Sequence, residues 1–357
     1  MLWLIFLPVL VMFSICLSNF IAIKQPREAG EISDFVSVIV PLRNEAHNIR
    51  ELVQSLAAQR FLNRVEFILL DDNSEDQTQS IITSSIAGFN NFRLIQGEQL
   101  PADWIGKTWA LAQLLDASHG EIIVSLDADV RITSDAISKS ITLMKSKRLD
   151  FISPYPRQIV QTLGERLIQP LLQWSWMSTL VLAIVERSRF SSMAVANGQF
   201  FIVKRSVLVE SGGYECVKTA VLDDVFLARA LMKSGFKGVA VNGANISEVR
   251  MYTSWTQIKS GYGKSLRYAF GSNFGAFIAV LFLLLTGVAP LILTLMGSMW
   301  GWISLTLIIL TRILSAIRFR GRILDSIFHP ISSLLLIYLI FYSFRNRGEI
   351  VWKGRVL

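Results

Sequence analysis

The chain has 357 residues, room for one large domain with additions, and at 52% hydrophobic against 17% charged residues it is too apolar to be wholly water-soluble. Its net charge of +8 gathers beside the apolar stretches, the distribution of a protein facing anionic lipid headgroups, which argues against a nucleic-acid partner. Cys16 and Cys216, with His47, His119 and His329, lie too far apart for a zinc motif or a disulfide framework.

Residues 2–23 are apolar apart from Ser14, Ser18 and Asn19, long enough for a spanning helix. The segment has no basic start and no small-residue cleavage site, so it reads as an anchor rather than a signal peptide. Lys24 and Arg27 follow it, which by the positive-inside rule puts the middle of the chain in the cytosol. Phe35 to Val40 reads as a strand stopped by Pro41. Asn44 is the expected cap of a helix carrying Ile49, Leu52, Val53 and Leu56. A strand at Val65–Leu70 runs into Asp71-Asp72, where Ser74 and Gln77 have capping-box spacing for another helix. A short strand, Phe92 to Ile95, precedes a loop, Leu100 to Lys107, that enters a helix with Ala110, Leu111, Leu114 and Leu115, ended by Gly120. The apolar run Ile122 to Leu126 is a buried strand ending in Asp127-Ala128-Asp129. Strand and helix alternate throughout, the pattern of a parallel sheet covered on both faces.

Past residue 150 the rhythm changes. Residues 167–185 are apolar but interrupted by Gln169, Pro170, Gln173 and Ser175, and with Trp174 and Trp176 they read as a helix in the membrane interface. A strand from Met193 to Val203 is broken at Asn197-Gly198-Gln199, Gly212-Gly213 makes a turn, and Asp223-Asp224 opens a helix that Gly235 closes. Residues 274–317 allow two spans with a turn near 297–301, and a third apolar segment covers 327–344 before a basic tail with Arg345, Arg347, Lys353 and Arg355. Three spans after a cytosolic domain would leave that basic tail outside, so one segment is expected to be re-entrant or interfacial, with Pro290 and Pro330 as the candidate breaks.

Carboxylates stand at predicted strand ends or helix starts: Glu45, Asp72, Asp127 with Asp129, and Asp224. Strand ends of a parallel sheet converge on one rim, where such sheets bind ligands. If strand geometry persists, Asp127 and Asp129 point to the same side, as two hard oxygen ligands for Mg²⁺ or Mn²⁺ bridging to a diphosphate. An ordinary solvated strand end fits the same spacing. Asp72 is placed to accept from a base N–H, or to charge the start of a helix. Lys107, at a helix start, suits contact with phosphate or solvent. Asp223 and Asp224 are dipole partners of their helix, or one of them is a general base.

The ordered set Val38-Ile39-Val40-Pro41 with Arg43-Asn44-Glu45, Asp71-Asp72-Asn73-Ser74 with Asp76 and Thr78, Gly106-Lys107 with Ala110-Leu111, Asp127-Ala128-Asp129, and Asp223-Asp224 resembles family 2 of the inverting glycosyltransferases over roughly residues 35–270. The stretch Leu100-Pro101 to Trp104-Ile105-Gly106-Lys107, the membrane layout and the closing Trp352-Lys353-Gly354-Arg355 make it similar to membrane glycosyltransferases associated with carotenoid and hopanoid synthesis, and more loosely to ceramide glucosyltransferases. The resemblance implies an α/β fold: a Rossmann-like GT-A domain for nucleotide-diphospho-sugar transfer, flanked by transmembrane helices. The implied layout is an anchor at 1–23, a cytosolic catalytic domain at 35–270 with the interfacial segment at 167–185, a transmembrane or re-entrant region at 274–344, and a tail at 345–357.

It further implies a multi-pass enzyme of the cell membrane that moves a hexose from a nucleotide sugar donor, a UDP-sugar, to a membrane lipid acceptor. Asp72 would hold the uracil, with Pro41, Glu45 and Lys107 near the nucleoside. Asp127 would face the ribose or metal side, Asp129 would bind Mg²⁺ or Mn²⁺, and Asp224 would be the base. The acceptor side is assigned to Gln199, Asp223, Gln257 and Lys259. The family often carries Gln-x-x-Arg-Trp after the base; Gln257-Ile258-Lys259-Ser260-Gly261 lacks both Arg and Trp, which argues against a processive polysaccharide synthase. A nucleotidyltransferase is the rival enzyme reading, but Leu42-Arg43-Asn44-Glu45 has no glycine for a phosphate loop. A lipid transporter would need intramembrane charges along a path, and apart from Arg312 the apolar segments offer few.

Overall fold

The structure is a computed structural model that describes residues 3–187, 191, 194–346, 351–352 and 355–356. Met193, Arg347, Lys353 and Gly354, named above, lie outside the described residues. Two compact units divide the chain: residues 24–157 with 185–249, and residues 1–23, 158–184 and 250–357. Residues 158–184 and 250–270 therefore group with the apolar helices, although their sequence reads as part of the transferase domain.

The first unit is built on β1 (Ile32–Leu42), β2 (Leu62–Asp71), β3 (Phe92–Gln96), β4 (Ile122–Leu126), β5 (Val130–Ile132), β6 (Phe151–Tyr155), β7 (Arg157–Gln158), β8 (Phe200–Lys204), β9 (Gly238–Asn242) and β10 (Ser247–Val249). Seven of these form one sheet in the order β3-β2-β1-β4-β8-β6-β9. The sheet is mixed rather than parallel: β8 runs antiparallel to both β4 and β6. That reversal matters for the site, because it brings the start of β8 to the rim where β4 ends, with Leu126 opposite Phe200.

Both faces are covered, which is why the strands read as continuous apolar runs. Val38, Val40, Phe67, Leu69 and Val124 pack on one face against helices Ile49–Ala57 and Ala136–Ser146. Ile39, Ile68, Leu70 and Ile123, one residue out of phase, pack on the other against Gly106–Ala117 and Asp223–Lys233.

Local signals were overridden at several points. β1 runs through Pro41, which pairs with Leu70 of β2, whereas the pairing with β4 ends at Ile39; the missing N–H falls where one neighbour is already gone. Asn44 does not cap the following helix. It sits at φ 52°, its N–H donates to Ser74 Oγ at 2.9 Å, and its Oδ1 accepts from Glu75 N at 2.8 Å. Ser74 is thereby used up, and helix Thr78–Ile86 starts without a side-chain cap from Gln77. The expected strand from Met193 begins only at Phe200. Gly120 lies beyond the end of helix Gly106–Ala117, where its backbone N–H donates to Ser37 Oγ at 2.7 Å.

In the second unit, helices Trp3–Ala22 and Met299–Arg318 are each 20 residues long, and Asn273–Leu295 and Ile323–Arg345 are each 23; all four are long and apolar enough to cross a membrane. Pro290 cannot donate to the carbonyl one turn back, and the turn before it, Leu284–Val288, widens to π geometry without breaking the helix. Pro330 stands in the first turn of helix His329–Arg345, where its missing N–H costs nothing. Trp174 and Trp176, expected in a headgroup belt, are buried in protein instead: Trp174 Nε1 donates to Thr311 Oγ1 at 2.7 Å and Trp176 packs edge-on against Phe319. Asn19 ties the first helix to the 163–179 helix by donating to the Met177 carbonyl at 2.9 Å, the hydrogen-bonded glue that replaces hydrophobic driving force in an apolar bundle.

Candidate active site

Three chain segments meet at the rim beyond β4. Asp127 leaves the strand and donates its N–H to the Gln199 carbonyl at 3.1 Å, across the β4–β8 pairing. Val130 N–H then donates back to the Asp127 carbonyl at 3.2 Å, so Asp127-Ala128-Asp129 is a tight turn rather than an extended strand. The two carboxylates are neighbours because the chain folds back, not because side chains alternate. Burial first, and then the Asp127 charge, push the Asp129 carboxyl up to about 7 against the opposing pull of Lys107 and Arg131.

Lys107 comes from the first turn of helix Gly106–Ala117, whose entry is pinned by Ile105 N–H and Thr108 Oγ1 donating to the Lys218 carbonyl at 2.8 and 2.9 Å. Its Nζ lies 2.8 Å from Asp127 Oδ1 and 3.7 Å from Asp223 Oδ2. Burial pulls the ammonium down, but Asp127, Asp223 and Asp224 outweigh it and hold Lys107 above the usual lysine range.

Asp223 and Asp224 open helix Asp223–Lys233 as expected. Asp224 Oδ2 accepts from Gly198 N–H at 2.7 Å and Oδ1 from Val225 N–H at 2.8 Å. Burial and the adjacent Asp223 charge raise its carboxyl to about 6, while Lys107 and the two N–H groups pull the other way. Gly198 permits this close approach: a Cβ there would lie 3.2 Å from Asp224 Cβ and 3.3 Å from Lys107 Nζ. Tyr155, the last residue of β6, is buried close enough to feel the Asp224 charge; burial and that charge both raise its phenol.

Glu45, Pro41 and Asp72 form a second group at the ends of β1 and β2. Asp72 is buried, and its N–H donates to the Leu42 carbonyl at 2.7 Å. Glu45 N–H donates to Thr78 Oγ1 at 2.8 Å, and its Oε2 accepts from Asn48 Nδ2 at 2.7 Å. Arg43 organises this loop: it is buried, and Nη1 donates to the carbonyls of Asp72 and Asn73, both at 2.7 Å. Gln199 pairs with Asn197, whose Nδ2 donates to Gln199 Oε1 at 3.2 Å. Gln257 and Lys259 belong to the helical unit, on helix Trp255–Phe270. Gln257 Oε1 accepts from Thr253 N–H at 2.8 Å, and Lys259 Nζ lies 4.3 Å from the centre of the Tyr342 ring.

Sequence reasoning missed Gly198 and Tyr155 as members of the rim. Gly198 contributes only a backbone N–H, which no side-chain motif reveals. Tyr155 ends a strand with no carboxylate to draw attention to it.

The family model "Glycosyl transferase family 2" matches residues 37–212. Among curated relatives, the 4,4'-diaponeurosporenoate glycosyltransferase of Staphylococcus haemolyticus is 25% identical over 230 residues, covering 63% of this chain and 59% of that protein. The beta-monoglucosyldiacylglycerol synthase of Trichormus variabilis is 26% identical over 199 residues, 54% of this chain and 40% of that one. The chain thus spans less than two thirds of the length of either relative. A mannosyltransferase from Pyrobaculum calidifontis, solved with GDP-Man and Mn²⁺, superposes with a TM-score of 0.54 at 16% identity, covering 96% of this chain and 97% of that one. The sheet is GT-A-like, and the matched stretch, which runs from β1 past β8, makes residues 37–212 a domain of glycosyl transferase family 2.

Proposed function

We propose that the enzyme moves a hexose from a nucleotide-diphosphate sugar, a UDP-sugar in the first instance, to a membrane lipid in a single inverting displacement. The observation that carries this reading is Asp224: a carboxylate gripped from the backbone by Gly198 and Val225, raised to about 6, at the rim that also holds Lys107, Asp127 and Asp129. A carboxylate with that value is ionised at neutral pH yet basic enough to take a proton. Asp224 removes the proton of the acceptor oxygen as that oxygen attacks the anomeric carbon, and the bond to the diphosphate breaks on the opposite face. In this reading Lys107 contacts the diphosphate, Asp72 accepts from the base, and Pro41 and Glu45 flank the nucleoside. Gln199 and Asp223 lie on the acceptor side.

The donor set suits a divalent cation. Among the described residues no cluster of three or more His, Cys, Asp or Glu could hold a metal by itself. Asp127 and Asp129 nonetheless bring two hard oxygen donors together, and the burial and mutual repulsion that raise Asp129 are both offset by a cation. The remaining positions would fall to water and phosphate, the usual arrangement for Mg²⁺ or Mn²⁺. When bound, such an ion neutralises charge on the departing diphosphate.

Four helices long enough to cross a bilayer support a multi-pass membrane enzyme that draws a lipid acceptor, and the relatives' names point to carotenoid and glycerolipid acceptors. Lys24 and Arg27 after the first helix favour a cytosolic catalytic unit. The test is nucleoside-diphosphate release by the detergent-purified chain from a panel of UDP-sugars and GDP-mannose, with membrane lipid extract as acceptor, in Mn²⁺ or Mg²⁺ and again in EDTA. Metal-dependent release with one donor, stimulated by lipid, is expected. Donor binding without release under any condition would overturn the lipid-acceptor reading, and EDTA-insensitive release would remove the metal from Asp127 and Asp129.

A further inference from the structure

We propose that the helical unit carries a phosphate-type oxyanion site centred on Arg312, independent of the transferase rim. Arg312 lies on helix Met299–Arg318, six residues and so about 9 Å before its C-terminal end. It is only 2% exposed, and its guanidinium lies 5.9 Å from the centre of the Trp174 ring, yet Nη1 has no hydrogen-bond partner. Leaving a buried guanidinium N–H unbonded in an apolar bundle is costly, and charged side chains in such segments mark binding sites by default.

The orphaned donor has company. A cavity of about 10 Å³ is lined by Gln173, Arg312, Ser315, Arg322 and Ser326. Ser315 Oγ, a hydroxyl able to donate to an anion, is also buried without a partner. The charge around it is unbalanced. Asp325 already receives a forked pair from Arg166, with Nε at 3.0 Å and Nη2 at 2.6 Å from Oδ1, and Arg322 Nε lies 3.6 Å from Oδ2. Arg166 and Arg322 thus share the one Asp325 carboxylate, while Arg312 and Arg322 line the cavity, so guanidiniums outnumber carboxylates here by two. Arginine forks of this kind match phosphate oxygens.

The enclosed volume has room for one water or one anion oxygen. A phosphate would therefore insert a single oxygen between Arg312 Nη1 and the Ser315 hydroxyl. Its remaining oxygens would sit at the mouth, where the half-exposed Arg322 side chain reaches them. A phospholipid headgroup and free inorganic phosphate share this chemistry, and basic pockets between apolar helices commonly take the former.

The experiment uses the full chain in detergent, titrated with phosphatidylglycerol, phosphatidylcholine or inorganic phosphate, with melting temperature and lipid retention in native mass spectrometry as readouts. Saturable stabilisation by phosphatidylglycerol, weaker with phosphatidylcholine, is expected. Arg312→Gln and the more exposed Arg322→Gln should each weaken it about tenfold or more, the loss of one charge-assisted hydrogen bond. Competition by millimolar inorganic phosphate would assign the site to the free ion; its absence would assign it to the lipid. Equal responses in wild type and Arg322→Gln overturn the proposal whatever the fate of the Arg312 variant. So does no response to lipid or phosphate, which leaves the cavity to a buried water only.

Discussion

In the sheet unit, Lys107, Asp127, Asp223 and Asp224 share a rim where carboxylates crowd one another. In the helical unit, Arg166 and Asp325 make a forked pair in which the carboxylate is 2% exposed and fully engaged. The first arrangement holds charge under repulsion, for use on a substrate. The second pairs opposite charges at hydrogen-bond distance, for use on the fold. Removing a charge should therefore have opposite consequences in the two places. At the rim it should cost turnover and spare stability; in the bundle it should cost stability, with activity following only as the fold is lost.

The largest expected effect is at Asp224. Asp224→Asn keeps the shape but cannot accept a proton, so turnover should fall by about 10²–10⁴-fold while donor binding survives. Its carboxyl is raised above the value it would have unfolded, so the ionised form is the one the fold disfavours at neutral pH. The variant should melt no lower than wild type at pH 7. Full activity would remove Asp224 from the base role, and a large drop in melting temperature would break the contrast. Next comes Arg166→Met, which leaves Asp325 buried with Arg322 as its remaining salt-bridge partner and should lower the melting temperature. Adding Asp325→Asn should recover most of that loss, and a double-mutant cycle on melting temperature reads the difference.

Gly198→Ala sharpens the rim side at a smaller scale. The new methyl would press on Asp224 Cβ and Lys107 Nζ at 3.2 and 3.3 Å, contacts a few tenths of an ångström too tight. A displaced base of that order should lower kcat roughly tenfold with little change in KM for the donor. Unchanged kcat would mean that the Gly198 N–H does not set the position of Asp224.

How much of this was legible beforehand follows from what each residue does. The strands were readable because both faces of the sheet are buried, so Val38-Ile39-Val40 and Ile122-Ile123-Val124 are apolar without a break. The same property hid the direction of β8: a doubly buried run reads alike in either sense, and only its pairing with β4 shows that it is reversed. Asp224 and Lys107 are charged side chains in first helical turns, a placement the sequence exposes. Gly198 acts through a main-chain N–H, and Asn44 and Ser74 bond to each other's loops rather than to their own helices. Local capping rules cannot anticipate such long-range partners, because the competing bond spans 30 residues of chain. In the bundle, Trp174 and Trp176 were misread because an aromatic flanked by polar residues looks the same whether the polar tip meets a headgroup or Thr311.

The smallest predicted effect tests the electrostatics directly. As the proposed base, Asp224 would work only when deprotonated, so kcat/KM should rise with pH through about 6 and level off above it. After burial, Asp223 is the largest cause of that elevation. Asp223→Asn should therefore move the acid limb to lower pH. It also releases Lys107 from one of its two ion-pair partners, which strengthens the pull of that ammonium on Asp224 in the same direction. A limb that stays in place would belong to another group, and Asp129, raised to about 7, is the nearest claimant. The two are separable by metal: saturating Mn²⁺ should depress a limb owned by Asp129 through direct ligation. A limb owned by Asp224, whose oxygens are held by Gly198 and Val225, should respond to Asp223→Asn instead.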